Sequence, residues 1–154
     1  MWQAEQRTAY GRQRSIPLEF FGPLSQVPGV RLICLQKDWT DGAPFPMTTL
    51  ADLDGSRGPF MDTAAVMKQI DLVITADTST AHLAGALGVP VWVAERYAPD
   101  WRWMLDQEDS PWYPTLRLFR QERPGDWAGV MARMVGELTE LAAARRGQYA
   151  GSAR

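Results

Sequence analysis

The stretch that most constrains this chain is Asp71-Leu-Val-Ile-Thr-Ala-Asp77-Thr78-Ser79-Thr80-Ala81-His82-Leu83-Ala84-Gly85-Ala86-Leu87-Gly88-Val89-Pro90. Residues 72–75 form a short apolar run, the pattern of a buried strand. Residues 76–79 turn the chain. Residues 80–87 read as a helix of small side chains, ended by Gly88 in the C-cap position, with Pro90 beyond it. A strand, a tight turn and a small-residue helix in succession form half of a βαβ unit, which implies a parallel sheet.

The same alternation recurs along the chain. Residues 30–35, 91–94 and 116–119 are further short apolar runs, so four strands are expected in all. Pro17, with Ser15 as cap, opens a helical pattern carrying Leu18, Phe20, Phe21 and Leu24. Asp62 or Thr63 caps a second helix, and Gly125 or Asp126 caps a last one with apolar residues spaced three and four apart from Trp127 to Ala142. The first fifteen residues, with Arg7, Arg12 and Arg14, read as a polar loop or arm. Residues 36–61 read as a long polar loop, a length that usually carries function. The fold class is α/β: a Rossmann-like parallel sheet with helices on both faces. One feature breaks the pattern. The first helix has no strand before it, so the sheet is expected to lack its first strand.

Composition narrows the class of function. At 154 residues, 45% hydrophobic and 22% charged, the chain suits one globular domain. A formal net charge of −2 offers no basic footprint for nucleic acid. No apolar run reaches membrane-span length. One cysteine, Cys34, and one histidine, His82, exclude an internal disulfide and a His- or Cys-rich metal centre. The expectation is a soluble, cytoplasmic protein without a bound metal. Trp101, Trp103 and Trp112 cluster in an irregular region. They read either as a plug at the end of the sheet, with Trp101 and Trp103 on one face, or as a stacking surface for a sugar or base.

Chemistry is expected at the carboxyl end of the strand 72–75, where open α/β sheets bind ligands. The backbone N–H groups of residues 78–81 start a helix without intrahelical acceptors, which suits a phosphate. Asp77 there can accept from sugar hydroxyls, and His82 lies one turn into the helix. A plainer reading holds equally at this stage: Asp77 or Thr78 only caps the helix, and His82 is structural.

The 71–90 segment resembles the donor-binding motif of glycosyltransferase family 9, the heptosyltransferase-like enzymes. It is most similar to the glycosyltransferase-like domain that follows tetratricopeptide repeats. Arg12-Gln-Arg14-Ser15-Ile16-Pro17-Leu18, Pro28-Gly-Val-Arg-Leu-Ile-Cys-Leu35-Gln36-Lys37 and Asp62-Thr-Ala-Ala-Val66 resemble its earlier stretches. Ala98-Pro-Asp-Trp101-Arg-Trp103, Ser110-Pro-Trp112-Tyr113-Pro114, Arg117-Leu-Phe119-Arg-Gln121 and Pro124-Gly-Asp-Trp127 follow in family order. The resemblance implies the C-terminal half of a GT-B fold over residues 1–146; residues 147–154, small and polar, read as a flexible tail. It implies a nucleotide-diphospho-sugar as substrate, with no cofactor and no metal. Donor-binding residues would be Asp77, Thr78, Ser79, Thr80, His82, Arg12, Arg14 and Lys37, and no catalytic residue is assigned. The acceptor site would lie in a separate N-terminal GT-B domain. That domain, or a second copy of the chain, would cover the missing-strand edge. Where the family carries glycine, histidine and aspartate before the arginines, this chain has Ala4, Thr8 and Gly11. Ala94-Glu95-Arg96-Tyr97 replaces the usual aliphatic run. These departures fit an alternative: a degenerate, non-catalytic Rossmann-like module acting in protein interaction or oligomerisation.

Overall fold

A computed structural model describes residues 1–152 apart from 5–6, 38, 40–41 and 56–57. Among them, three strands build one sheet: β1 (Val73–Ala76), β2 (Val91–Glu95) and β3 (Leu116–Arg120), in that order and all parallel. The register pairs Val73 with Val91 and Val91 with Leu116. Because side chains alternate across a strand, each strand feeds two cores. Ala76, Trp92, Ala94 and Phe119 face the 3-10 helix Leu18–Gln26 and the last helix. Val73, Val91, Val93, Leu116 and Leu118 face the helices Met61–Met67 and Ser79–Ala86. The result is the α/β, Rossmann-like parallel sheet with helices on both faces.

In chain order the α-helices are α1 (Ala9–Arg14), α2 (Met61–Met67), α3 (Ser79–Ala86) and α4 (Trp127–Ser152). The polar arm therefore carries a short helix, where a loop was expected. Thr8 caps it, its Oγ1 accepting from the Gly11 N–H at 3.0 Å. The expected helix after Pro17 is a 3-10 helix with Pro23 inside it. In an α-helix the Pro23 ring would clash with the carbonyl four residues back, which disfavours the wider winding here. Gly88 has φ +67, the left-handed C-cap conformation that the sequence implied. Gly85 is required for a different reason. A Cβ there would lie 2.4 Å from the Tyr113 ring, so only glycine lets Tyr113 close on α3. α4 runs through Ser152, past Gly147.

Helix α2 begins after Phe60, itself in the left-handed region with φ 64. Its cap comes from outside the helix. The buried Asp54 carboxylate accepts from the N–H groups of Asp62 at 2.8 Å and Thr63 at 3.1 Å, and from Thr63 Oγ1 at 2.5 Å. Asp62 returns the bond by accepting from the Asp54 N–H at 3.1 Å. Burial works against the Asp54 charge, but these donors outweigh it and hold the carboxyl below its usual range. Asp54→Ala is expected to cost about 2 kcal/mol at pH 7. Because the native carboxyl titrates low, this stabilisation is present above the ordinary aspartate range and is lost as pH falls. Urea melts at pH 7 and pH 3 check both the size and the direction.

Residues 30–35 are not a strand of the sheet. Among the described residues they make an isolated parallel bridge, Ile33 with Thr48. A strand is held by a ladder, and among the described residues this segment has no partner strand on the side facing β1. Position one of that gap is filled by Met1. Its N–H₃ group donates to Ile74 O at 3.2 Å, and its carbonyl accepts from the Ala76 N–H at 3.0 Å. The expectation of a sheet without its first strand is met in this form.

Candidate functional site

The three strands end in ionisable residues at the carboxyl edge of the sheet. Asp77 follows β1, Glu95 ends β2 and Arg120 ends β3. Parallel register brings these ends to one rim, the ligand-binding edge of open α/β sheets. Around them stand three guanidinium–carboxylate pairs: Arg14–Asp77 at 3.5 Å, Arg120–Glu95 at 2.9 Å and Arg102–Asp100 at 3.0 Å.

Asp77 is 5% exposed. Arg14 Nη1 also donates to the Asp77 carbonyl at 3.1 Å. The other carboxylate oxygen, Oδ1, is buried without a hydrogen-bond partner among the described residues. An ionisable oxygen left without a donor in a buried setting is costly, and such atoms are over-represented where a ligand completes the site. Thr78 is the N-cap of α3, but its hydroxyl pairs with Thr75 Oγ1 at 3.1 Å and makes no cap bond. Ser79 is exposed at the helix start. Thr80 is fully buried, its hydroxyl turned to the Met1 sulfur at 3.1 Å. The Ala81 N–H is taken by the Thr78 carbonyl at 3.0 Å, which narrows the open N–H groups of the first turn.

His82 lies flat on Trp103, ring centroids 5.2 Å apart and planes 18° apart. Its Nδ1 shares a hydrogen bond of 3.1 Å with the Tyr113 hydroxyl. Burial, and then the nearby Arg102 charge, push its pKa below the ordinary histidine value, while Asp77 and Asp100 pull the other way. The imidazole is thus neutral near pH 7 and committed to aromatic neighbours.

Of the residues singled out from sequence, Asp77, Thr78, Ser79, Thr80, His82 and Arg14 are brought together at this edge. Arg12 is exposed on α1, and Lys37 is exposed in a turn after Gln36. Arg14 is drawn to Asp77 here, whereas the resemblance assigned it to phosphate. The tryptophans divide. Trp103 is fully buried and Trp101 is 75% exposed, so the two do not share a face. The 3-10 turn Trp101–Trp103 carries successive side chains to different sides.

Sequence reasoning set Arg120 in a family-like stretch and Glu95 among the departures, but gave neither a role. Arg120 holds Glu95 through Nε at 3.1 Å and Nη2 at 2.9 Å, and binds the carbonyls of Trp103, Met104 and Leu105. Desolvation of the buried Glu95 raises its pKa to about 7, despite the opposing Arg120 charge. The signal available in sequence was positional: an ionisable residue at the carboxyl end of each of the three apolar runs that build the sheet.

A parallel sheet with covered faces and a polar carboxyl rim defines a Rossmann-like half-domain. The chain is 31% identical to Protein FlbA of Caulobacter vibrioides over 157 residues, which cover 93% of this chain. It spans about a quarter of that relative's length. No family model matches the chain, and no solved structure matches it. No helix among the described residues is long and apolar enough to cross a membrane.

Proposed function

We propose that this chain is the donor-binding half of a glycosyltransferase-like protein of the family 9 type, taking a nucleotide-diphospho-sugar at the carboxyl edge of its sheet. The observation that carries the reading is the buried, unpartnered Asp77 Oδ1 beside the start of α3. A sugar hydroxyl supplies the donor this oxygen lacks. The open first-turn N–H groups of α3 and the Arg14 guanidinium take the diphosphate, so no metal is called for. Transfer itself needs an acceptor domain. A cytoplasmic location and a nucleotide-sugar partner belong to the same reading.

A second reading is favoured by the three ion pairs at the rim. Each carboxylate there already has its guanidinium, so the edge is electrostatically self-contained, as a non-catalytic interaction module would be. Titration calorimetry with nucleoside diphosphates and nucleotide sugars separates the two. Donor binding predicts saturable heat with the nucleotide sugars. Asp77→Ala is then expected to weaken the nucleotide sugar about ten- to a hundredfold, and the bare nucleoside diphosphate far less. Absence of binding at millimolar ligand, with the protein folded, favours the non-catalytic module. Equal loss of both ligands assigns Asp77 to structure.

A further inference from the structure

The sheet order β1-β2-β3 puts Glu95 between Asp77 and Arg120 at the carboxyl rim. Val91 and Val93 of β2 face α3, so alternation turns Glu95 to the same side. Its register partner Arg120 follows Leu116 and Leu118 there. Asp77 belongs to this side too, because its charge acts on both Glu95 and His82 of α3. The side chains of Asp77 and Glu95 are only 7% and 1% exposed. Each spends one oxygen on a guanidinium: Asp77 Oδ2 meets Arg14, and Glu95 Oε2 meets Arg120. The other oxygen of each, Asp77 Oδ1 and Glu95 Oε1, is buried without a hydrogen-bond partner among the described residues.

Two such oxygens on neighbouring strand ends are mismatched while both groups are ionised, since each can only accept. One proton removes the mismatch, and like charges in a desolvated rim favour a state in which one carboxyl is neutral. Glu95 is the one that holds the proton. It is the more deeply buried, and desolvation lifts it to about 7. The Arg120 charge opposes that rise, while Asp77 and Asp100 add to it. The other charged groups at the rim are already engaged: Arg14 of α1 sits with Asp77, and Arg102 of the 3-10 turn sits with Asp100. His82 of α3 is neutral near pH 7, its pKa lowered first by burial.

We infer that Glu95 and Asp77 form a clamp for a single sugar hydroxyl, Glu95 Oε1–H donating to the hydroxyl oxygen and the hydroxyl donating in turn to Asp77 Oδ1. This rests on the donor-binding reading and deepens it. Glu95 becomes a second specificity-determining residue beside Asp77, and the group it recognises is a neutral hydroxyl. The chemistry selects for that group. A hydroxyl both donates and accepts, so it satisfies both bare oxygens at once. A diphosphate oxygen only accepts and leaves Asp77 Oδ1 without a donor. An ammonium only donates, and it requires both carboxyls to be ionised. Once Glu95 loses its proton, a hydroxyl serves one oxygen and leaves the other buried and bare. Recognition of the sugar is therefore lost as pH rises.

Glu95→Gln tests it, because the amide keeps an acceptor for Arg120 and offers an N–H in place of the acid O–H at every pH. Titration calorimetry of the parent and of Glu95→Gln between pH 6.5 and 8.5 is read as the ratio of their affinities, which cancels the titration of the ligand and of other groups. For a nucleotide sugar the parent is expected to lose about twentyfold relative to Glu95→Gln across that range. This is the fall in the neutral fraction of a group titrating near 7. For the bare nucleoside diphosphate the ratio stays constant. A second measurement needs no variant. At pH 8, buffers of different ionisation enthalpy are expected to show about one proton taken up per nucleotide sugar bound by the parent. A constant ratio for the nucleotide sugar, with binding still weakened by Asp77→Ala, overturns the clamp and leaves donor binding standing. An equal change for both ligands makes Glu95 structural and also overturns the clamp. Absence of nucleotide-sugar binding by either protein at every pH overturns donor binding and the clamp together.

Discussion

Arg120→Met is expected to cost about 3–5 kcal/mol at pH 8, because it leaves Glu95 buried without its partner. Glu95 is 1% exposed and Arg120 is its ion-pair partner, at 2.9 Å. The variant also loses the donors to the carbonyls of Trp103, Met104 and Leu105. Those bonds hold the 3-10 turn and the left-handed Met104, φ 57, against the ends of β2 and β3. The cost depends on pH, and its sign follows from linkage. In the parent protein the Glu95 carboxyl titrates near 7, against 4.5 for an ordinary glutamate. The native state thus binds more protons between those values. The stability this group contributes is complete below pH 4.5 and is lost as pH rises through 7. Removing Arg120 removes an interaction that favours the carboxylate, so Glu95 holds its proton to still higher pH. The penalty is therefore smallest near pH 5 and grows toward pH 9. Urea melts of Arg120→Met across that range check the slope. Glu95→Gln is expected to flatten this contribution.

The other large effect is at Trp103. Trp103→Ala is expected to cost about 3–5 kcal/mol, the loss of a fully buried indole. The same change opens the face on which His82 lies. Water then reaches the imidazole, desolvation weakens, and the His82 pKa moves back up toward the ordinary value of 6.5. Trp103→Phe separates the two roles. It keeps an aromatic surface for His82 and removes an indole N–H that is buried without a hydrogen-bond partner among the described residues. It is expected to cost well under half as much as alanine. Chemical denaturation gives the stabilities, and a proton NMR titration of His82 gives the shift. An unchanged His82 titration in Trp103→Ala would show that the stack does not set its pKa.

Much of the layout was written locally. The three sheet strands are short apolar runs, and nothing but burial on both faces satisfies such a run, so β1, β2 and β3 fall where the pattern puts them. The turn from β1 into α3 and the Gly88 cap follow from side-chain size and backbone freedom at those positions. The ionisable ends of the strands were equally visible in the chain, since Asp77, Glu95 and Arg120 each directly follow apolar residues.

What the sequence did not carry were relations between distant residues. Residues 30–35 have the apolar composition of a strand, yet a strand exists only where a neighbour offers its ladder, and β1 meets Met1 instead. Asp54 caps α2 from a turn eight residues before Asp62, a contact that no local pattern encodes. Trp101 and Trp103 look alike in the chain, but the 3-10 turn buries one and exposes the other. Local propensity and periodicity thus determined the strands, the helix ends and the α/β class. Only the tertiary structure decided the charge pairing at the rim and the neutral state of His82. Each of these depends on burial and on partners far along the chain, and those exist only once the layers have packed.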